Sequence, residues 1–452
     1  MKDTYKFIIF VFLGTLCLMA DAFYNGFPLV YSDTSTYIAS GFELETPFDR
    51  PITYGLFLRI FSLNGLSLWF VIFFQAIILS YLIFLLVRLV TDDKSFLKFG
   101  LLTIILLSLF TGVSWIVSQI MPDIFTSIAL LSATLILLGT FKRGTLILLY
   151  VLFFISVAMH MSHILMFALM LIIIFCLRKF ILPKQSYPKR NSKIITLFLL
   201  TIASVITMGS AISKSKHVFI MGAMVEHGIV KSYLDDYCDT KQYNLCDYKD
   251  SLPDRAYKFI WDEKSPFYKI GGWKKTKNEF NEIIYGTLTQ PKYIVMHIKE
   301  SFKATLRQLT LFSIGDGNGS FLEGTLMYER VSKYFPHDLT TYSSSKQNQS
   351  RLDFINFFNY LFQITLALSL LPTIYLLLTK IVTITDRQIK IITLMFLIGI
   401  ILNAWDCGTF ANAIDRLGCK MVWLIPFATT FLLLKILHNR QTKENIINGQ
   451  HE

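Results

Sequence analysis

Long apolar runs separated by short polar segments recur along most of the 452-residue chain. A helix that crosses a bilayer needs about 20 mostly apolar residues, so each long run predicts one crossing. The pattern predicts an all-α, polytopic membrane bundle of about ten transmembrane helices. The predicted crossings are 7–24, 67–90, 97–118, 123–140, 145–160, 163–178, 194–212, 357–379, 389–405 and 418–437.

Two segments between these runs are too long to be simple connections. One covers residues 23–66, and the other covers residues 213–355 and contains apolar residues at helical spacing. Cys238 and Cys246 lie in the second segment, and the sequence leaves both a disulfide and two free thiols open. The predicted parts are an N-terminal membrane module of about seven crossings (1–212), a mainly helical extracytoplasmic region (213–355), a C-terminal membrane module of about three crossings (356–440) and a cytoplasmic tail (441–452).

Composition and charge support a membrane protein and orient it. The chain is 53% hydrophobic and 16% charged, whereas soluble domains average about 25% charged residues. Its net charge of +12 comes mostly from alternate short loops, which include Lys94, Lys184 and Lys380. Cytoplasmic loops carry such an excess of Lys and Arg. We therefore expect a multi-pass protein of the inner (plasma) membrane with both termini in the cytoplasm, and no nucleic-acid partner.

Acidic side chains lie beside the ends of several predicted crossings on the extracytoplasmic side. Asp33 follows the first crossing in YSDTSTY, and Asp123 opens the fourth in MPDIF. A carboxylate at a membrane boundary costs free energy to keep, so it indicates a functional site. Asp33 and Asp123 are the predicted catalytic acids, with Asp33 as a general base, although each also fits the start of a helix. Tyr37, Arg50 and Tyr54 follow Asp33 in the same segment and are predicted to bind substrate.

Basic side chains supply the matching binding groups. Arg suits bidentate contacts to phosphate, and Lys supplies a point charge. The histidines of HMSH are spaced to share a helix face, and they could bind phosphate, relay protons, ligate a metal or serve only as hydrogen-bonded structural groups. The last outer loop begins at Asp406. The predicted substrate-binding residues outside the first outer segment are His160, His163, Lys216, His217, Arg307, Asp415, Arg416 and Lys420.

These motifs resemble those of the GT-C superfamily of membrane glycosyltransferases, which includes protein O-mannosyltransferases and aminoarabinose transferases. The resemblance rests on Asp33 in the first outer loop, Asp123 in the next one, and DRLGCKMVWLIP, with Arg416 and Pro426, at the start of a late crossing. It implies a polyprenyl-phosphate-linked sugar as donor and an extracytoplasmic lipid, glycan or protein as acceptor. It also implies that Asp33 is the catalytic base. Thr34 follows Asp33 where a second acid is common, so a divalent cation stays open as a cofactor.

Other functions fit parts of the same pattern. A transporter or flippase of a lipid-linked saccharide would place polar residues deep within its crossings and often contain internal repeats. A membrane acyltransferase would use His160 or His163, and a non-catalytic assembly protein also fits the composition. No nucleotide-binding motif occurs in the sequence, which argues against transport driven by ATP.

Overall fold

A computed structural model describes residues 2–91, 95–181, 187–208, 211–378 and 383–448. Within these ranges the chain is 77% helix and has no β-strand, so the predicted all-α class is confirmed for this part of the chain. The basic residues Lys94, Lys184 and Lys380, used above to predict orientation, lie outside the described residues. The end of the predicted tail, 449–452, also lies outside them.

The N-terminal half of the chain forms a bundle of apolar helices. α1 packs against α5 and α6, and α8 packs against α5 and α9. Because backbone N–H and C=O groups find no partner in lipid, long apolar runs satisfy them internally as helices. The helices of this half are α1 (Lys2–Leu18), α2 (Ala20–Asn25), α3 (Thr34–Glu43), α4 (Thr53–Phe61), α5 (Leu68–Val90), α6 (Phe96–Phe110), α7 (Val113–Ser118), α8 (Ile124–Leu138), α9 (Arg143–Ala158), α10 (Ser162–Ile181) and α11 (Tyr187–Thr207).

The first long polar segment is folded into α3 and α4, which cross each other at two glycines. A Cβ on Gly41 would lie 2.1 Å from the carbonyl oxygen of Gly55, so the two backbones touch directly. Only a residue without a side chain permits this approach. The crossing brings the start of α3 next to the segment that precedes α4.

The second long polar segment is also helical. The helices α12–α18 share an apolar core of their own, and we call this part the α12–α18 layer. Cys238 and Cys246 form a disulfide in it. The helices of the segment are α12 (Ala211–Glu226), α13 (Ile229–Tyr237), a 3-10 turn (Asn244–Tyr248), α14 (Ala256–Trp261), α15 (Pro266–Lys269), α16 (Gly272–Lys275), α17 (Lys277–Thr289), α18 (Pro291–Thr310), α19 (Leu326–Tyr334), a 3-10 turn (Pro336–Asp338) and α20 (Leu339–Ser343).

The C-terminal part completes the bundle with α21 (Ile355–Leu378), α22 (Ile384–Phe410), α23 (Asp415–Val422) and α24 (Leu424–Asn448). α22 packs against α8, α10 and α18, so it joins the bundle to the α12–α18 layer. α21 packs against α24 and keeps much of its apolar surface exposed, as a lipid-facing helix does.

The described residues contain 6 helices that are long and apolar enough to cross a membrane. These are Leu68–Val90, Ser162–Phe180, Arg190–Thr207, Ile355–Leu378, Ile384–Phe410 and Asp415–Leu437. Shorter apolar helices occupy Thr4–Leu18, Phe96–Phe110, Ile124–Leu138 and Arg143–Ala158. Within the described residues the apolar runs chosen from the sequence are largely helical, only these 6 helices reach membrane length, and the larger number of crossings is not confirmed.

Candidate functional site

Asp33 lies directly before α3 and binds two arginines that are distant in sequence. Its Oδ1 accepts a hydrogen bond from Arg50 at 3.2 Å, and its Oδ2 accepts one from Arg416 at 3.3 Å. The carboxylate makes no capping hydrogen bond to α3. Asp33 therefore occupies the cap position of α3, as the sequence allowed, but its side chain does not cap the helix and is directed at a cluster of charges.

The two arginines have further partners in the same cluster. Arg50 also donates to Asp49, with Nε 2.8 Å from the carboxylate oxygen, and its guanidinium lies 5.0 Å from the ring centre of Tyr37. Arg416 lies 4.2 Å from the ring centre of Tyr31. Stacking on an aromatic face orients a planar guanidinium while leaving its edge free to bind anions.

Asp123 and Lys420 form the buried end of the cluster. Asp123 precedes α8 without capping it, is only 3% exposed, and has Arg416 at 3.8 Å and Lys420 at 4.0 Å. Lys420 is fully buried. In the described part of the chain, neither its Nζ nor the Nε of Arg416 finds a hydrogen-bond acceptor. A buried cation costs several kcal/mol unless its donors are satisfied, so these two donors indicate a place for an anion.

A short parallel backbone pairing joins the two segments that carry the acids. Leu29 N–H donates to the carbonyl of Ser118 at 2.9 Å, and Ile120 N–H donates to the carbonyl of Leu29 at 2.9 Å. The segment that contains Leu29 is also held on its other edge. There the side-chain amide of Gln347 accepts from Val30 N–H at 3.0 Å and donates to Val30 C=O at 2.7 Å. Since the acids follow these pairs by a few residues, main-chain contacts fix their relative position.

The short helix α23 carries both Arg416 and Lys420, and its neighbours hold it on several sides. Ser127 donates to the carbonyl of Lys420 at 2.5 Å, and Asn403 donates to the carbonyl of Leu417 at 2.8 Å. The side-chain amide of Gln308 both donates to and accepts from the backbone of Ile414, at 2.9 and 3.0 Å. α23 is therefore placed by contacts to α8, α18 and α22.

Gly418 allows α23 to pack directly against the backbone of Leu311, and a substitution there tests how α23 is held. A Cβ at this position would lie 1.8 Å from the carbonyl oxygen of Leu311. Gly418→Ala should therefore lower the unfolding midpoint in a thermal melt, because overpacking costs about 1–3 kcal/mol. Gly144→Ala is the matched control, since a Cβ there has nothing within 4 Å. Identical melting of the two variants would contradict this account of α23.

The two histidines of HMSH, His160 and His163, lie beside the cluster in different environments. His163 is 1% exposed, with Nε2 2.7 Å from Thr126 Oγ1 and Nδ1 2.8 Å from the carbonyl of Ser156. Nδ1–H therefore donates to Ser156 and Nε2 accepts from Thr126, so neither nitrogen is free for a ligand. His160 lies between α9 and α10, and burial together with the charges of Lys420, Arg416 and Arg50 lowers its pKa to about 3. It stays neutral at physiological pH and offers a hydrogen bond but no charge.

Asp406 joins the same environment, although the sequence placed it in a loop. It lies within α22, is 5% exposed, and interacts with Ser162 and with the charge of Lys420. The hydroxyl of Ser162 is also 2.8 Å from His160 Nδ1. The end of α22 thus extends beyond the predicted crossing and adds an acid to the cluster.

Other predicted residues make no hydrogen bond or ion pair to the charged cluster within the described residues. Tyr54 is fully buried and donates its hydroxyl to Gln75 at 2.7 Å, so its prediction as a substrate contact is corrected to a core residue. Lys216 is exposed on α12. His217 is buried in the α12–α18 layer, with its ring centre 6.4 Å from that of Phe280. The structure does not bring these residues to Asp33.

A cavity of about 210 Å³ opens between the α12–α18 layer and the loop before α23. Glu226 lies in its wall and accepts hydrogen bonds from Arg255 and Arg307, both at 3.3 Å. Asp316, also in the wall, accepts from the backbone N–H of Arg416 at 3.2 Å. The lining residues are Glu226, Arg255, Tyr257, Arg307, Leu311, Asp316, Asn412, Ala413, Ile414 and Asp415. Thus Arg307 and Asp415, both predicted from sequence, line a cavity next to the cluster.

The acids of the cluster do not fit a divalent cation. Among the residues that the structure describes, no three His, Cys, Asp or Glu side chains converge as metal ligands would. Asp33 already faces two guanidinium groups, and Asp123 faces a guanidinium and an ammonium group. A divalent cation at these carboxylates would therefore meet resident positive charges.

The fold and the site define an all-helical membrane protein with a cluster of carboxylates and cations where its apolar helices end. No protein-family model, curated protein sequence or solved structure matches this chain. Since a fold does not by itself determine a function, the charged cluster is the feature of this chain that bears on its function.

Proposed function

We propose that this protein is a GT-C-like glycosyltransferase that moves a sugar from a polyprenyl-phosphate donor to an extracytoplasmic acceptor. The observation that carries the proposal is a pair of cations, the partly buried Arg416 and the fully buried Lys420. Arg416 Nε and Lys420 Nζ find no hydrogen-bond acceptor in the described residues, and the two side chains lie beside Asp33 and Asp123. The proposal includes an inner-membrane protein with about ten crossings, both termini in the cytoplasm and the cluster on the opposite side.

The cations bind the phosphate of the donor. Arg416 offers a planar pair of donors and Lys420 a point charge, which together match a phosphate diester that becomes a monoester as it leaves. Negative charge grows on this phosphate in the transition state, and donors fixed in advance in a dry site stabilise such charge strongly. The full burial of Lys420 and the low exposure of Arg416 support preorganisation for the leaving group.

Asp33 is the base, and donor binding activates it. Burial alone would raise the pKa of its carboxyl, but Arg50 and Arg416 outweigh burial and hold the pKa below its usual value. Phosphate competes with Asp33 for Arg416, so the carboxylate becomes more basic when the donor is bound. The acceptor hydroxyl then gives its proton to Asp33, its oxygen bonds to the anomeric carbon, and polyprenyl phosphate leaves with the electron pair of the broken C–O bond.

The cavity beside Arg416 holds the acceptor. Its carboxylates, guanidinium groups, Asn412 and Tyr257 offer the hydrogen bonds and the aromatic surface that sugar hydroxyls and ring faces need. The volume of about 210 Å³ suits one sugar-sized group. Asp316 in its wall accepts from the backbone N–H of Arg416, and the guanidinium of Arg416 donates to Asp33, which supports a place for the acceptor beside the cluster.

Arg307→Gln should raise the KM for the acceptor about tenfold, because a hydrogen bond to a charged group contributes about 1.5–3 kcal/mol. kcat should change little, since the cavity binds the acceptor equally in the ground and transition states. Initial rates with varied acceptor check this. Lys303→Gln, on the same helix but paired with Glu300, is the control. An effect of Arg307→Gln on the donor KM alone would contradict the assignment of the cavity.

Mass spectrometry of envelope lipids and glycans from cells with and without the gene tests the overall proposal. A single-sugar mass should disappear without the gene, return with the wild-type chain and stay absent with Asp33→Asn. Purified protein in nanodiscs should then release polyprenyl phosphate from a synthetic donor only when acceptor is present. Identical envelopes from the two strains would refute glycosyl transfer.

A flippase for a lipid-linked saccharide is the second candidate, and one observation favours it. Asp406 and Lys420 are buried charges within membrane-length helices, as transporters require. A flippase would move the donor across the membrane of a proteoliposome without releasing polyprenyl phosphate. The acyltransferase alternative is less favourable because both nitrogens of His163 are occupied and the pKa of His160 is low.

A further inference from the structure

The helix α18 has three faces with different chemistry. One face is buried: Ala304 lies against α22, Gln308 bonds the backbone of Ile414, and Tyr293 belongs to the core of the α12–α18 layer. The second face is apolar and open, with side chains between 38% and 67% exposed. Its members are Ile294, Val295, Ile298, Phe302 and Leu306, most of them four residues apart. Such spacing forms one continuous stripe on a helix.

The third face is basic and borders the apolar stripe. Its exposed members are Lys292, Lys299, Lys303 and Arg307. At about 100° per residue they fall on the sector beside the stripe. Three of them also reach acids of the protein, namely Asp236, Glu300 and Glu226. Because these ion pairs partly neutralise the basic face, the apolar stripe is the main unpartnered surface of α18. The basic face forms its polar border.

The position of α18 on α22 places this stripe at the end of a membrane-length helix. Ser301 and Thr409 hydrogen-bond at 2.8 Å, and a Cβ on Gly408 would lie 2.8 Å from the carbonyl oxygen of Ala304. α18 thus contacts the last turns of α22. Ile401 lies two turns earlier on the same side of α22 and is 51% exposed. Ile401 is thus exposed apolar surface on the side of α22 that carries α18.

We infer that α18 lies in the surface of the bilayer, with its apolar stripe among the acyl chains and its lysines among the headgroups. Helices with an open apolar face bordered by Lys and Arg bind membranes in this orientation. Long basic side chains can extend from such a helix to the headgroups. In this position α18 holds the α12–α18 layer against the membrane, independently of any reaction that the charged cluster performs.

Depth measurements with lipid-borne and aqueous quenchers test this inference. Single cysteines at Ile298 and Phe302, and at Lys299 and Lys303 as matched neighbours, are labelled with a fluorophore in full-length protein in phosphatidylcholine nanodiscs. The signal of the unsubstituted protein is subtracted, because the chain has its own free cysteines. We expect lipid nitroxides to quench the labels at 298 and 302 several-fold more than those at 299 and 303, and iodide to show the opposite order.

Two outcomes would overturn the inference. If iodide quenches all four labels equally, α18 lies in water. If the labels at 298 and 302 are shielded from both quenchers, another protein or a second copy of this chain covers the stripe instead. Neither outcome depends on catalytic activity, so failure here is separable from failure of the proposed transferase.

Discussion

Asp33→Asn should lower the rate of sugar transfer by about 10²–10⁴-fold, the usual contribution of one positioned base. Asparagine has nearly the same shape but cannot accept the acceptor's proton. Arg416 keeps Asp123 at 3.8 Å, and Arg50 keeps Asp49, so the fold should remain intact. Rates with saturating donor and acceptor, together with a thermal melt, measure the two effects separately.

Asp49→Asn is the matched control for this substitution. Asp49 belongs to the same cluster and binds Arg50, but no contact joins it to Arg416 in the described residues. The control should therefore retain most of the transfer rate. Comparable losses in the two variants would mean that Asp33 acts through the charge network and not as a base.

The pH dependence of the reaction gives a second test of the role of Asp33. The pKa of Asp33 lies below its usual value, because Arg50 and Arg416 outweigh the opposing effect of burial. Its ionised form therefore stabilises the fold above the unfolded pKa of about 3.9, and this stabilisation is lost as pH falls through the lower folded pKa. If donor phosphate competes for Arg416 as proposed, the acidic limb of kcat, measured at saturating donor and acceptor, should lie at higher pH than that of kcat/KM for the donor.

Arg416→Lys should lower transfer by about 10²–10³-fold, the range found when one fixed transition-state donor is lost. Lysine keeps the charge and can still compensate Asp123. It lacks the planar fork that contacts Asp33 while stacking on Tyr31. Initial rates and donor affinity should fall together, because the fork also holds the phosphate before it leaves.

Arg59→Lys controls for the general effect of exchanging these two residues. Arg59 is hydrogen-bonded to Asn64 at 2.9 Å and lies over the ring of Phe42, outside the charged cluster. The Arg59→Lys variant should transfer sugar at the wild-type rate. If Arg416→Lys were as active as this control, phosphate recognition by the guanidinium would be untenable.

The sequence predicted the helices well because the signal is local. Each apolar run is long enough to require internal hydrogen bonding, so helix formation follows from composition alone. Charge then predicted that Asp33, Asp123, Arg416 and Lys420 lie on one side of the membrane. The structure brings these residues into direct contact, over sequence separations that no local pattern encodes.

The remaining parts of the site depend on helix rotation and packing, which the sequence does not specify. Tyr54 turns into the core because α3 and α4 cross at Gly41 and Gly55. Asp406 belongs to the cluster because α22 continues past the apolar run. Glu226 pairs with Arg255 and Arg307, which come from different parts of the α12–α18 layer. The sequence shows that these residues are charged but not that they pair with one another.

The backbone pairing between Leu29 and the segment 118–120 has a consequence for how this protein diverges in evolution. Nearly all residues have a backbone amide and carbonyl group, so this pairing does not depend on which side chains are present. Substitutions near it can therefore accumulate while the distance between Asp33 and Asp123 is kept. We expect distant relatives of this chain to conserve the distance between the two carboxylates more strongly than the sequence around them.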